Sequence, residues 1–148
     1  MPELGIRTYR DADWSQVYQI FREVVDAGET YAYDPNWSEE QAKAVWVEPA
    51  PAHTVVAVDG DRVLGTASFM VASDARGRGV GRALGQHALD LARADGYSAM
   101  QFNAVVESNT AAVRLWQELG FVIIGTVPEA FEHPTLGRVG LHIMHRPL

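Results

Sequence analysis

The stretch that decides the fold is Ala72-Ser73-Asp74-Ala75-Arg76-Gly77-Arg78-Gly79-Val80-Gly81-Arg82, between the apolar run 67–71 and a helix-patterned run that begins at Val80. Its three glycines at alternate positions let the backbone turn sharply. They also bring consecutive N–H groups to a helix start, where the positive end of the helix dipole lies. We therefore predict that this loop binds a phosphate or a pyrophosphate.

Two better-known glycine motifs do not fit this loop. A P-loop requires a lysine directly after its last glycine, and the only lysine of the chain, Lys43, is far away in sequence. A dinucleotide fingerprint that starts at Gly77 or Gly79 would need its third glycine where Arg82 or Leu84 stands. The loop therefore belongs to another class of anion site.

Size and composition limit the number of domains and the classes of partner that the protein can have. A chain of 148 residues suits a single domain, 1–148, because domains most often contain about 100–150 residues. With 47% hydrophobic and 21% charged residues the composition is globular, and a net charge of -7 disfavours nucleic acid as a partner. The chain shows no membrane-length apolar run and no signal-like start, so we expect no membrane partner and a cytoplasmic location. The absence of cysteine excludes disulfides, thiolate catalysis and cysteine metal sites.

The first half of the chain predicts strands, two helices and a hairpin. Asp13 with Gln16, and Ser38 with Gln41, have the spacing of capping boxes that begin helices. The Asp-Gly pair at 59–60 is typical of a hairpin turn. The predicted elements are a strand at 5–10, a helix from Asp13 to Gly28, a short helix from Ser38, a hairpin at 53–66 and a strand at 67–72.

The second half alternates helix and strand more clearly. Helical spacing runs from Val80 to a cap at Gly96, and again from Asn109 to Gly120. We predict strands at 100–106, 121–126 and 139–144, with a loop at 128–137. This mixed alternation predicts an α/β fold with a twisted sheet and helices on both faces.

Two motifs resemble those of the GCN5-related N-acetyltransferases (GNAT). One is Arg76-x-x-Gly79-x-Gly81, and the other is Asn109-Thr-Ala-Ala112-Val-Arg-Leu115-Trp116-Gln-Glu-Leu-Gly120-Phe121. The order of elements from about Gly5 to His145 resembles that family as well, so the likeness covers nearly the whole chain. It implies a GNAT-like mixed, strongly twisted central sheet flanked by about four helices, and acetyl-CoA as cofactor.

The same resemblance implies where the cofactor binds. The main chain of Met70, Val71 and Ala72 would pair with the pantetheine arm like an added strand, and the glycine loop would take the pyrophosphate. Besides these three strand residues, the resemblance implies ten further cofactor contacts. They are Arg76, Gly77, Arg78, Gly79, Val80, Gly81 and Arg82 in the loop, and Asn109, Ala112 and Trp116 on the fourth helix.

The resemblance also implies direct attack of an amine on the acetyl thioester. Residues 100–110 resemble a branch that acetylates small amino or imino acids. On that resemblance Asn103 would orient the substrate or polarise the thioester; the alternative is an amide satisfied inside the sheet. Glu107 is either a general base or a solvated carboxylate at a strand end. The aromatic residues Tyr31, Tyr33 and Trp37 are either acceptor contacts or a cap on the core.

The chain departs from the family pattern in two places. Trp116 stands where the family usually has a tyrosine that protonates the leaving thiolate, and an indole N–H is no practical proton source. Gly65-Thr66 and Ser68-Phe69-Met70 abut, where relatives usually have another strand and a hairpin loop. Either the sheet is one strand shorter, or the sequence lacks residues of the natural protein.

Several alternatives therefore stay open. The enzymatic alternative to a small-amine acetyltransferase acts on a protein N-terminus or lysine. The non-enzymatic alternatives are an acyl-CoA sensor that has lost its chemistry and a nucleotide-binding module. The sequence leaves monomer and homodimer open. We predict no metal site, because the five histidines lack metal-ligand spacing.

Overall fold

A computed structural model describes residues 4–31, 33–49, 52–67 and 69–148. Within these ranges seven strands and four α-helices alternate, as the sequence predicts for an α/β fold. The strands are β1 (Gly5–Thr8), β2 (Val55–Asp59), β3 (Arg62–Thr66), β4 (Met70–Val71), β5 (Ala99–Val106), β6 (Val122–His133) and β7 (Gly137–Pro147). The helices are α1 (Trp14–Ala27), α2 (Glu39–Trp46), α3 (Val80–Ala94) and α4 (Thr110–Glu118). In the described part of the chain, no helix has the length and apolarity that a membrane span requires.

The strands form two sheets that meet at unpaired edges. The first has the order β1-β2-β3-β4 and the second the order β5-β7-β6. Every strand pair that the structure describes is antiparallel. The expected mixed sheet is thus divided between β4 and β5, which leaves one edge of each strand open to a ligand.

Helices cover both faces of the first sheet, as predicted. A Cβ placed on Gly65 would lie 2.8 Å from Val80 of α3, so this glycine lets α3 pack directly on β3. The next residue, Thr66, points to the other face, where its Oγ1 accepts a hydrogen bond of 3.1 Å from Nε1 of Trp46 in α2. The sheet is therefore buried between α3 on one side and α1 with α2 on the other.

Phe69 joins the two hydrophobic cores. The larger core lies between α1, α2, α3 and the first sheet, and the smaller one lies between α3, α4 and the second sheet. Phe69 packs against both, and its ring centroid is 4.6 Å from that of Trp116 and 5.7 Å from that of Phe102. Its φ of +94° lies in a region that favours glycine, so tertiary packing holds this backbone conformation.

Of the two predicted capping boxes one is confirmed and one is wrong. Ser38 and Gln41 exchange both hydrogen bonds at the start of α2. Asp13 does not cap α1, because a 3-10 turn at Asp11–Asp13 already gives its backbone a helical conformation, and its carboxylate accepts a hydrogen bond of 2.8 Å from the Arg10 N–H at the start of that turn. Its carboxylate also binds the guanidinium of Arg7 at 2.7 Å, which lowers the pKa of Asp13.

The strand predicted at 67–72 is much shorter than expected. Only Met70–Val71 is strand, paired with Thr66 and Gly65 of β3. The reversal between them includes a hydrogen bond of 3.2 Å from the Phe69 N–H to the Thr66 carbonyl, while Ser68 lies outside the described residues. The position where the sequence suggested a lost strand therefore holds a tight turn and a strand of two residues.

The loop predicted at 128–137 is wrong except at 134–136, which form a turn. β6 continues through Pro128 to His133, and β7 begins at Gly137. Proline is tolerated because β6 is the edge of its sheet, where the N–H that proline lacks has no strand to bind. A register shift between Val127 and Phe131, with Glu129 at a φ of +52°, absorbs the irregularity.

Candidate active site

A cleft of about 1060 Å³ separates β4 from β5. One end is formed by the glycine loop and the start of α3, and the other by Ala88 and Met100. Met70 and Val71 line one wall, and all residues from Met100 to Val106 line the other. The open edges of the two sheets therefore bound a cavity large enough for an elongated cofactor.

The glycine loop ends this cleft in an anion-binding conformation. Gly77 and Gly79 have φ values of +80° and +78°, and Gly79 is the N-cap of α3. A Cβ on either glycine would meet no protein atom within 4 Å, so open space lies beside the loop. No main-chain N–H from 76 to 82 donates a hydrogen bond to any residue that the structure describes. These amides are available for a phosphate or pyrophosphate, with the dipole of α3 behind them.

The three arginines of the loop have different surroundings. Arg78 forms an ion pair with Asp59 at 3.1 Å and does not line the cleft. Arg82 lines the cleft and is paired with Glu118. Arg76 is exposed, lines the cleft and has no charged partner among the described residues. Arg76 is thus the cation best placed to meet an anionic ligand.

Residues predicted to hold the pantetheine arm are only partly available. Met70 and Val71 line the cleft, and β3 occupies only one of their edges. Ala72 does not line it, because its N–H donates to the Leu64 carbonyl at 2.8 Å and its carbonyl accepts from Ala75 at 2.9 Å. Pairing with an added strand is therefore limited to two residues of the first sheet.

The predicted residues of the fourth helix all line the cleft. Asn109 caps α4 through its side-chain oxygen, which accepts a hydrogen bond of 3.3 Å from the Ala112 N–H. Trp116 is only 6% exposed and packs between Phe69 and Phe102, with ring centroids 4.6 and 4.7 Å away. No described residue accepts a hydrogen bond from its indole N–H. Trp116 thus serves the smaller core and forms part of the cleft wall.

Tyrosines form another part of the cleft wall. Tyr31 and Tyr33 line the cleft and stack with ring centroids 5.4 Å apart, and burial raises the pKa of both hydroxyls. The Tyr31 hydroxyl donates to the Phe69 carbonyl at 3.2 Å. Trp37 packs against Tyr33 with ring centroids 5.4 Å apart and the rings tilted by 32°, but it does not line the cleft. The structure thus brings two of the three predicted aromatic residues to the cavity.

The two predicted catalytic residues lie in different environments. Asn103 is exposed on β5 and lines the cleft, and its Oδ1 accepts a hydrogen bond of 2.7 Å from Gln101. A register shift in the pairing of β5 with β7 falls at this point and changes the direction of the strand's side chains. Glu107 does not line the cleft, and its Oε1 accepts a hydrogen bond of 2.7 Å from the Gly140 N–H. A catalytic role for Glu107 stays a prediction, while its visible contact holds β5 to β7.

Sequence reasoning missed a carboxylate and a histidine in the cleft. Glu29, exposed just after the Gly28 that ends α1, lines the cleft beside Tyr31. His53 lines it too, and its Nε2 lies 2.6 Å from Oδ2 of Asp95. Neither residue belongs to a motif, and only the packing of α1 and α3 on the sheet brings them there. Across the described ranges, no three His, Asp or Glu side chains are grouped as metal ligands.

A ligand-sized cleft between splayed sheets, with free amides at a helix start, is the kind of site that suits a phosphorylated carrier in extended form. Comparison with known proteins gives the family. The family model described as "Acetyltransferase (GNAT) family" matches residues 14–121, and the chain belongs to this family of acetyltransferases.

Solved structures agree with this assignment. A GCN5-related N-acetyltransferase from Kribbella flavida is 56% identical over 98% of both chains, with a TM-score of 0.95. A GNAT superfamily phosphinothricin acetyltransferase from Sinorhizobium meliloti, in complex with AcCoA, shares the fold at 24% identity and a TM-score of 0.88, covering 100% of this chain and 89% of that one.

A curated relative matches over a shorter region. N-acetyltransferase aca1 of Schizosaccharomyces pombe is 34% identical over 62 residues, which are 42% of this chain. The match spans only 30% of that relative's length.

Proposed function

We propose that this protein transfers the acetyl group of acetyl-CoA directly to the amino group of a small amine or amino acid. The observation that carries the proposal is the row of unbonded main-chain N–H groups from 76 to 82 at the end of an open cleft. A helix start with free amides suits a pyrophosphate, and a cleft with free strand edges suits a pantetheine arm.

In the proposed complex the pyrophosphate lies against Gly77, Gly79, Val80 and Gly81, and Arg76 neutralises part of its charge. The arm extends between β4 and β5, where Met70 and Val71 offer main-chain groups. Arg78 supports the loop from outside through Asp59. Asn109 and Ala112 bound the arm from α4.

The acceptor enters beside Glu29, Tyr31 and Tyr33. A carboxylate near aromatic faces suits an ammonium, because it attracts the charged form and can take the proton that the amine must lose. Asn103, across the cleft, has an amide N–H₂ group that can donate to the thioester oxygen or to a carboxylate of the acceptor.

The reaction needs only acetyl-CoA and the amine. The amine nitrogen attacks the thioester carbonyl carbon, an N–C bond forms, the C–S bond breaks, and coenzyme A leaves as a thiolate. The proton lost by the ammonium finally neutralises that thiolate through solvent. Trp116 cannot protonate the sulfur, but its unpartnered indole N–H can donate a hydrogen bond to it.

We also propose that the protein is located in the cytoplasm. We further propose a homodimer that pairs β6 with its copy. β6 is an edge strand, and Val122 and Ile124 in its part before Pro128 are each 57% exposed, so two copies can join antiparallel along that part and bury the same strip.

The test combines cofactor binding with turnover. Calorimetry should detect coenzyme A binding, and a thiol-release assay should detect turnover with amino acids and small amines as acceptors. Turnover with peptides but not with free amines would transfer the proposal to a protein substrate. Binding without turnover on either panel would favour the acyl-CoA sensor, and absence of binding would overturn the proposal.

A further inference from the structure

A second cavity of about 230 Å³ lies between the C-terminal half of α3 and the beginnings of β2 and β5. Its walls are mainly small and apolar. They comprise Val55, Ala67, Ala88, Leu91, Ala92 and Met100. For comparison, an apolar cavity of about 150 Å³ is large enough to bind benzene. This second cavity can therefore hold a short aliphatic chain.

The second cavity adjoins the cleft. Four residues line both spaces, namely His53, Ala67, Ala88 and Met100. The shared wall lies at the end of the cleft opposite the glycine loop, because Ala88 is eight residues beyond Val80, or about 12 Å along α3. A ligand that enters at the loop and follows the cleft arrives at this second cavity.

The shortness of β4 leaves this passage open. β5 contains eight residues and β4 only two, so most of β5 has no partner strand on the cleft side. Met100 of β5 and Ala67, the residue after β3, both line the second cavity. A longer β4 would fill the space between these two strands.

We propose that the second cavity receives the carbon tail of acyl groups longer than acetyl, of about four carbons. This inference rests on the proposed function. The amine attacks the thioester carbonyl carbon of an acyl-CoA as before, the C–S bond breaks, and the product is the corresponding longer amide. Ala88 and Met100 mark the passage from the thioester to the tail.

Charge at the rim selects the kind of tail. The polar part of the second cavity comprises His53 paired with Asp95 at 2.6 Å, and Tyr97. A carboxylate at the end of the tail would lose its hydration against apolar walls and would approach the carboxylate of Asp95. The site should therefore prefer butyryl-CoA to succinyl-CoA, whose acyl groups have the same number of carbons.

The experiment measures kcat/KM with acetyl-, butyryl- and succinyl-CoA for the full chain and three variants. Ala92→Leu fills the second cavity from α3, and Ala52→Leu fills it from the opposite wall; neither residue lines the cleft. Ala94→Leu, on an exposed position of the same helix that lines neither space, is the matched control. Thermal unfolding of each variant identifies any that fail to fold.

We expect the wild type to use butyryl-CoA at least about tenfold better than succinyl-CoA. The butyryl-to-acetyl ratio of kcat/KM should fall about tenfold or more in Ala92→Leu or Ala52→Leu and stay unchanged in Ala94→Leu. Turnover of acetyl-CoA with rejection of butyryl-CoA, or an unchanged ratio in the folded cavity variants, would overturn the inference and leave the proposed function standing. Failure of all three thioesters to bind would overturn the proposed function itself.

Discussion

Replacing Gly79 with alanine should separate stability from cofactor binding at the glycine loop. Gly79 has a φ of +78° and lines the cleft, and an added Cβ would meet no protein atom within 4 Å. Alanine in this left-handed conformation costs about 1–2 kcal/mol of folding free energy. The new methyl group would also stand where a phosphate must approach the main-chain N–H groups.

The expected loss of affinity follows from the hydrogen bonds at risk. A hydrogen bond to a charged group contributes about 1.5–3 kcal/mol, so two weakened bonds raise the Kd for coenzyme A by about 100-fold or more. Isothermal titration calorimetry measures the Kd, and thermal unfolding measures the change in stability.

The matched control is Gly60→Ala in the hairpin between β2 and β3. Gly60 has a φ of +59° and the same open space around an added Cβ, but it does not line the cleft. Both variants should lose similar stability, and only Gly79→Ala should lose affinity. Equal Kd values for the two folded variants would refute the assignment of the loop as the pyrophosphate site.

Three further predictions concern the acceptor site, the leaving group and the first strand. Glu29→Gln should lower kcat/KM for the amine at least tenfold without changing the Kd for coenzyme A. Glu107→Gln should leave turnover unchanged and lower the melting temperature. The reverse pattern would make Glu107 the general base. Trp116→Tyr should keep coenzyme A binding and raise kcat, because a phenol can protonate the thiolate; unfolding of the variant, seen by circular dichroism, would mean that only the indole fits this core. The pKa of Asp13 is lowered by Arg7, so its stabilising effect is present above the unfolded pKa and is lost as the pH falls through the folded one. Chemical unfolding should therefore show that Asp13→Asn costs about 2 kcal/mol at neutral pH and much less near pH 2, and a cost independent of pH would contradict this.

The elements that sequence predicted best are those specified by local chemistry. The start of α3 at Val80 follows from glycines that have positive φ in the structure, and the start of α2 follows from a capping box that forms as expected. In both places the determining hydrogen bonds or dihedral angles lie within a few residues of sequence. The predicted family is confirmed for the same reason, because its motifs are local.

Features set by distant contacts were not predictable in this way. Asp13 has the spacing of a helix cap, but a 3-10 turn and an arginine on β1 redirect its carboxylate. Pro128 is typical of a loop, but its place on a sheet edge lets the strand continue. Whether a residue lies on an edge strand depends on the whole topology, which no local pattern contains.

The residues of the candidate site show the same difference between local and distant contacts. Loop and helix positions from 76 to 82 and at Asn109 could be identified from motif spacing, and most of them line the cleft. Glu29 and His53 reach the cleft only because distant elements pack together, and Arg78 is turned away by its ion pair with Asp59 of β2. Side-chain partners contributed by other elements decide which residues of a motif are available to a ligand.

The most direct test of the central claim is a nuclear magnetic resonance titration of the ¹⁵N-labelled protein with coenzyme A. We predict that the largest amide shifts fall on Gly77, Gly79, Val80 and Gly81, because their N–H groups would gain a hydrogen bond to the pyrophosphate. The amide of Gly60 should not move. Saturable binding whose shifts leave residues 76–82 unchanged would contradict the account.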